Sequence, residues 1–325
     1  MSSKPRVLVV TNLWPENGGY RGIFVREQVD ALRALGYPVD VEVVAQSRGR
    51  RDYAFAAPRI RRRARGYDLV HVHYGLSAFA ARFAGRVPRV LTLHGSDVQV
   101  RWQAAATRLG SGGVARRIYV SRRLAEAAGE PGGLVIPGGV DFGLFTPVDR
   151  TLARQRLGLD PTAPIALFGA DPRQVAKRYD VFRAVLDRLR VEELVLAEPG
   201  QPRSVVPLKF AAADLLLFTS RRGHEGSPTV VKEALAMGLP VVSTDVGDVA
   251  ELLDGVTPSA VVPFPAGPAE LVGSLADAAA EVLRAGTRSD GRQRRSWLDS
   301  TRIAQRVAAV YDEVTSHRRR ASDAT

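Results

Sequence analysis

Residues His224 to Glu251 read HEGSPTVVKEALAMGLPVVSTDVGDVAE, and this stretch decides the architecture. It follows Leu215-Leu216-Leu217-Phe218, an apolar run bounded by turn residues and suited to a buried strand. Ser227-Pro228 is a helix-start signal: a hydroxyl able to cap open amides, then a ring whose missing N–H costs nothing in a first turn. The pattern predicts a helix to about Met237, stopped by Gly238, with Pro240 just beyond. Val241-Val242 begins the next buried strand, and Gly247 opens another loop. Strand, loop, helix N-terminus and strand together form the construction with which α/β proteins bind phosphates.

Glu225 and Glu233 flank the start of that helix. Open N–H groups there attract an anion, whereas the carboxylates repel one and suit hydroxyls on either side of it. A ligand that is hydroxyl-rich, then phosphorylated, then hydroxyl-rich again fits this arrangement, as a nucleotide-diphospho-sugar does. Spacing alone fits equally well an ordinary capped helix with surface glutamates.

The segment Glu225-x7-Glu233 within EGSPTVVKEALAMGLPVVSTDVGD resembles, without a gap, the signature of the family 4 retaining glycosyltransferases, a large group with the GT-B fold. The resemblance implies that Glu225 approaches the donor sugar and that Glu233 holds the ribose hydroxyls. Main-chain amides around Gly226, Ser227, Thr229 and Val230 would meet the sugar and diphosphate. Three further segments are similar to the same family. The T-x-H-G-x-D pattern ending at His94-Gly95-Ser96-Asp97 implies that His94 touches the donor sugar. Ile136-Pro137-Gly138-Gly139-Val140-Asp141, continuing to Phe145 and Pro147, resembles the family's approach to its interdomain crossing. Gly138 there replaces an asparagine, and both residues accept a positive φ. The first loop carries the family's glycines, with Gly22 matching best by its distance from Gly36 and Gly19 second. The family also places a lysine and an arginine on the diphosphate. Lys177, one of only four lysines, matches the lysine; Ala170 stands where the arginine is common, which leaves Arg173 as a displaced candidate.

The resulting expectation is an α/β protein of GT-B type, with two Rossmann-like domains whose parallel sheets face across a cleft. At 325 residues each domain is large enough for its own core. Residues 1–150 form the acceptor-side domain and 151–295 the nucleotide-sugar domain, with the boundary placed by Pro147, Pro161 and Pro164. A helix over 296–318 packs back on the first domain, and 319–325 form a disordered tail. Strands are expected at Arg6–Asn12, Val39–Val44, Asp68–His73, Val90–Leu93 and Arg117–Ser121. In the second domain they fall at Ile165–Gly169, Leu194–Ala197, Leu215–Phe218, from Val241, and at Val261–Pro265. The stretch after Ala197 is short, so this domain looks trimmed. The first loop is not G-x-G-x-x-G, which leaves a nicotinamide dinucleotide unsupported. His71 and His73 read as architectural, His224 and His317 as exposed.

Cysteine is absent, which excludes disulfides, thiolate catalysis and zinc–thiolate sites. No apolar run is long enough to span a bilayer and the N-terminus lacks a signal-peptide core, so a cytoplasmic protein is expected. Residues 1–150 carry 23 Lys and Arg against 12 Asp and Glu, +11 of the chain's +12. The runs Arg48-Gly49-Arg50-Arg51 and Arg59–Arg65 (RIRRRAR) suit a solvated surface or peripheral contact with an anionic membrane. Nucleic acid is not expected, for no aromatic-interleaved basic segment is present.

The function implied is transfer of a hexosyl group from a UDP- or GDP-linked sugar to a hydroxyl acceptor, with retention. The acceptor is a glycan, a lipid-linked glycan or a small-molecule glycoside. No cofactor is expected and, with no D-x-D, no metal. Glu225 and His94 carry the catalytic roles, and no nucleophile is evident. The alternatives are an inactive sugar-binding or scaffold relative, a GT-B nucleotide-sugar epimerase, and a DNA-modifying glucosyltransferase.

Overall fold

The computed structural model describes residues 4–15, 19–45, 49, 51–197, 201–265 and 267–323. Gly18 of the first loop, Arg48 and Arg50 of the basic run, residues 198–200 and the last two residues of the expected tail lie outside these. The chain forms two compact units, one reaching to Gly139 and resuming at Ser300, the other spanning Val140–Asp299.

The first unit contains β1 (Val7–Thr11), α1 (Ile23–Ala34), β2 (Val39–Val43), α2 (Arg51–Ala64), β3 (Leu69–His73) and α3 (Gly75–Ala81). It continues with β4 (Arg89–Leu93), α4 (Ser96–Gln99), α5 (Arg101–Gly110), β5 (Arg116–Tyr119), α6 (Arg122–Ala127) and β6 (Leu134–Val135). The sheet is parallel throughout, in the order β2-β1-β3-β4-β5-β6. Both faces are covered, so the central strands are buried along their whole length, and polar residues such as His71, His73 and Thr92 lie buried among their apolar ones. Leu8, Val10, Val70 and Val72 pack against α2 and α3; Val7, Val9 and Leu69 pack against α1 and the C-terminal helix. Gly22 precedes α1 at φ 77°, where a Cβ would lie 2.2 Å from the Leu13 carbonyl carbon. Close passage of the Leu13–Trp14 backbone therefore demands glycine here, without any ligand.

The second unit contains α7 (Arg150–Leu157), β7 (Ile165–Phe168), α8 (Tyr179–Leu189), β8 (Glu192–Val195), α9 (Val206–Ala212) and β9 (Leu215–Phe218). It continues with α10 (Thr229–Ala236), β10 (Val241–Thr244), α11 (Val249–Leu253), β11 (Ala260–Val262), α12 (Pro268–Ala285) and α13 (Gly291–Arg294). Its parallel sheet runs β11-β10-β9-β7-β8, and α8 and α12 share a core with one face of it. Arginines staple the helix ends. Arg154 donates to the carbonyls of Ala212 and Pro161 and to Asp214; Arg288 donates to Ala213; Arg292 donates to Ala236 and Phe145. Each supplies hydrogen bonds to carbonyls that a helix terminus leaves open.

Several expectations shift. The units divide at Gly139 and Ser300, whereas prolines placed the first boundary at 151 and the helical spacing of the last segment placed the second at 296; α7 packs on α9 within the second unit. The C-terminal helix, α14 (Ser300–Asp323), buries Ile303, Val307 and Tyr311 against β1, β3 and α1. It continues through 319–323, where a disordered tail was expected. Trp297 lies before it in a short 3-10 turn and is 42% exposed. β8 begins at Glu192, two residues early, because Arg190 ends α8 in the left-handed region and the strand sits at the sheet edge with both glutamates exposed. RIRRRAR, read only as a charge run, is the end of α2, with Tyr53, Ala56 and Ile60 facing the core. Arg59 and Arg63 both pair with the buried Glu42.

Candidate functional site

In the second unit the predicted residues gather at the carboxyl ends of β7, β9 and β10, where open parallel sheets receive ligands. A 3-10 turn over Val175–Lys177 follows β7, and the Thr219 hydroxyl fixes it by donating to the Lys177 carbonyl at 2.8 Å. Lys177 Nζ donates to Glu225 Oε1 at 2.6 Å, and the Ser220 hydroxyl donates to the same oxygen at 2.7 Å. The ammonium also lies 5.3 Å from the centre of the Phe218 ring. Glu233, eight residues further along, is buried inside α10 and paired with Arg203, whose guanidinium rests on the Phe145 ring. Both glutamates thus face a cation.

Ser227 does not cap α10. Pro228 occupies the cap position, and the Ser227 hydroxyl turns instead to Asp248 Oδ2 at 2.7 Å while accepting from Lys232 Nζ at 3.1 Å. Burial pushes the Asp248 carboxyl up from 3.8 to about 6, against the pull of Lys232. The contact holds the loop before α10 onto the one after β10, where Gly247 passes so close to the Gly226 carbonyl oxygen that a Cβ would approach it to 2.8 Å. Gly226 is buried and Thr229 opens the helix; the Val230 side chain packs on Gly169, so its part at the site is its main chain. Arg173 stays on the surface, 79% exposed and paired with Asp171.

In the first unit the polar residues occupy the same ends of β1, β3 and β4. Thr11 lies in register with His73, and His73 with Thr92. His94 follows β4, half-buried, its ring 5.0 Å from that of Phe24 on α1 and its Nε2 3.1 Å from His73 Nδ1. Asp97 organises the turn: its carboxylate accepts from the main-chain N–H of Gly95 at 2.8 Å and of His94 at 3.1 Å. Burial raises its pKa from 3.8 to about 6, and those backbone hydrogen bonds hold it from rising further. His71 and His73 are buried, and burial lowers both, His73 to about 3. His224 and His317 are exposed.

Sequence reasoning missed Arg203, Ser220, Lys232 and Asp248. Arg203 stands in no motif; only the burial of Glu233, which requires a counter-charge, points to it. Lys232 and Asp248 lie inside the diagnostic stretch, but nothing in their spacing marks them as partners.

Residues 6–144 match the family model described as Glycosyltransferase Family 4, and residues 163–284 the model described as Glycosyl transferases group 1. The putative teichuronic acid biosynthesis glycosyltransferase TuaC of Bacillus subtilis (strain 168) is 30% identical over 217 residues, 57% of this chain and 55% of that protein. The chain therefore spans little more than half the length of this relative. Among solved structures, sucrose-phosphate synthase from Thermosynechococcus elongatus superposes with a TM-score of 0.74 at 17% identity, over 96% of this chain and 100% of that one. Anabaena Alr3699/HepE in complex with UDP gives 0.68 at 19% identity, over 95% and 100%. At such identities these structures speak to the fold.

Proposed function

Because the chain belongs to the family 4 glycosyltransferases and has the GT-B fold, we propose that it transfers a hexosyl group from a nucleotide-diphospho-sugar to a hydroxyl acceptor, with retention. The observation that carries this reading is the pair of glutamates around the start of α10, Glu225 on Lys177 and Glu233 on Arg203. Glu233 binds the ribose hydroxyls and Glu225 the donor sugar. Lys177, which pairs with Glu225, meets the diphosphate and stabilises its departure, together with main-chain amides from Gly226 to Val230. Arg203 is better placed than the exposed Arg173 to replace the arginine absent at position 170. In the first unit His94 contacts the sugar, and the main chain near Gly22 receives the ligand's closest approach. No side chain is assigned as a nucleophile: the leaving phosphate takes the acceptor's proton on the same face, and no metal bridge is invoked.

The partner surface follows from a second observation. Phe55 on α2, Phe79 on α3, Phe83 just beyond it, and Trp102 and Leu109 on α5 are all 41% exposed or more. Those helices pack in succession, α2 on α3 and α3 on α5, and Asp52 is their one acidic side chain. Arg61, Arg62, Arg65 and Arg108 are exposed on them or at their ends. Aromatic rings among arginines suit an anionic bilayer surface and so a lipid-linked acceptor; no helix among the described residues is long and apolar enough to cross a membrane. Retention on anionic vesicles at low salt checks this.

The donor half is tested by melting in saturating UDP, GDP, dTDP and ADP, with UDP first because a neighbour in fold holds it. A ligand at a hundred times its Kd adds about 2.7 kcal/mol to stability. One nucleoside diphosphate should raise the melting temperature, and Glu233→Ala should abolish the rise. His94→Ala should leave it and slow turnover instead. No rise with any of the four would remove the transferase reading and leave a non-catalytic relative as the better account.

A further inference from the structure

Three of the chain's five histidines converge on one face of the first unit's sheet, and the function proposed above uses only His94. His71 and His73 alternate along β3, so both face the side covered by α14, with ring centres 4.2 Å apart. His71 has both nitrogens occupied, Nδ1 by the Tyr311 hydroxyl at 2.6 Å and Nε2 by the Thr92 hydroxyl at 2.8 Å. His73 differs. Its Nδ1 lies 3.1 Å from His94 Nε2, while its Nε2 is buried without a hydrogen-bond partner among the described residues. At 1% exposure the ring has no bulk water to turn to.

One proton lies between His73 Nδ1 and His94 Nε2, because two bare ring nitrogens would repel at that distance. Were it His94's proton, a neutral His73 would carry its own on Nε2 and leave that N–H buried without an acceptor. If it is His73's proton, only a lone pair is left unused. Orphaned buried donors are rarer than under-used acceptors. A doubly protonated His73 is ruled out by burial, which holds its pKa near 3.

We propose that His73 is a positioning residue: it donates Nδ1–H to His94 Nε2 and thereby confines the proton of neutral His94 to Nδ1. A neutral imidazole has one N–H, so His94 then meets a ligand as a donor through Nδ1, matched to a hydroxyl or phosphoryl oxygen. An unconstrained histidine favours the other tautomer, so His73 imposes a choice that His94 would not make alone. The proton assignment concerns this face of the sheet; its bearing on catalysis rests on the glycosyl-transfer reading.

The test is a long-range 1H–15N correlation spectrum of the full chain with labelled histidine rings, at about pH 8, above the ordinary histidine range. His94→Gln identifies the His94 signals. Wild type should show His94 with Nδ1 protonated and Nε2 bare. His73→Leu should move that proton to Nε2, and His73→Asn, whose amide N–H2 lies near the position of Nδ1, should keep it in place. Turnover should fall about tenfold in His73→Leu with donor KM little changed, and His73→Asn should restore most of it. A wild-type proton on His94 Nε2, or an unchanged pattern in folded His73→Leu, overturns the proposal. Should His73→Leu not fold, the wild-type and His73→Asn spectra decide between the same outcomes. The expected tautomer in a protein that turns over no donor would sink the transferase reading and leave the proton assignment standing.

Discussion

Beneath the sheet ends of the second unit, Glu225 faces Lys177 and Glu233 faces Arg203; beneath those of the first, Asp97 is held by main-chain amides and His73 by another histidine. At Glu225 and Glu233 charge is answered by charge, and at Asp97 and His73 it is discouraged by burial. The arginines follow the same division. Arg154, Arg288 and Arg292 of the second unit reach inward to carbonyls, while Arg61, Arg62 and Arg65 at the end of α2 are exposed and Arg59 and Arg63 pair with Glu42. A net charge of +12 is therefore not one property spread over the molecule. Removing a partner should hurt the second unit most, changing pH should act through Asp97 in the first and Asp248 in the second, and deleting an exposed arginine should hardly affect folding.

The largest effect is expected at Arg154, 2% exposed and shared among Ala212, Pro161 and Asp214. Arg154→Ala leaves three carbonyl or carboxylate groups short of a donor and opens a cavity. Breaking a buried pair by removing one member costs about 3–5 kcal/mol, a large share of the roughly 5–15 kcal/mol that holds a protein folded. Urea denaturation should show it as a lowered midpoint, with Arg288→Ala somewhat milder. A loss below about 1 kcal/mol would mean that water replaces the guanidinium and that the staple is incidental.

This difference between the units also explains what the sequence made legible. Strands such as Leu215–Phe218 and the glycine stops at Gly36 and Gly238 are local events, fixed by neighbours in the chain, and they appear where expected. Glu225, Glu233 and His94 were visible because a motif marks them. Arg203 was not, since its partner is 30 residues away and depends on how α10 packs. Ser227 misled for a related reason: a serine before a proline reads as a cap until Asp248, brought in by the loop after β10, competes for its hydroxyl. His71 and His73 read as architectural because a strand pattern shows which face a side chain takes, and not where its second nitrogen ends up.

The intermediate effect belongs to Asp97. Its folded pKa of about 6 exceeds its ordinary 3.8, so the folded state binds this proton more tightly than the unfolded chain does. The sign follows: Asp97's contribution is fully present below about pH 4 and is lost as pH rises through about 6, roughly 2–3 kcal/mol in all. Asp97→Asn cannot ionise and lacks this fall. The difference between wild type and Asp97→Asn in urea denaturation should therefore move in the variant's favour by that amount between about pH 4 and pH 7. Parallel curves would show that the backbone hydrogen bonds at Gly95 and His94 outweigh burial, and that the first unit answers its charges after all.

The smallest effect on folding is expected at Arg61, Arg62 and Arg65, all exposed at the end of α2. Serine at all three should leave the urea midpoint almost unchanged, within about 0.5 kcal/mol for each site. Arg59 and Arg63 must stay, for they answer Glu42. Each basic side chain near an anionic surface is worth about 1 kcal/mol, so the triple variant should bind anionic vesicles about a hundredfold more weakly, and salt should erase the difference. Phe55→Ser and Phe83→Ser should weaken the same binding at high salt as well, because they remove apolar contact in place of charge. If the arginine triple binds vesicles as well as wild type does, the exposed face of α2 is merely solvated. The contrast between the units would then separate buried charge that folding needs from surface charge with no partner of this kind.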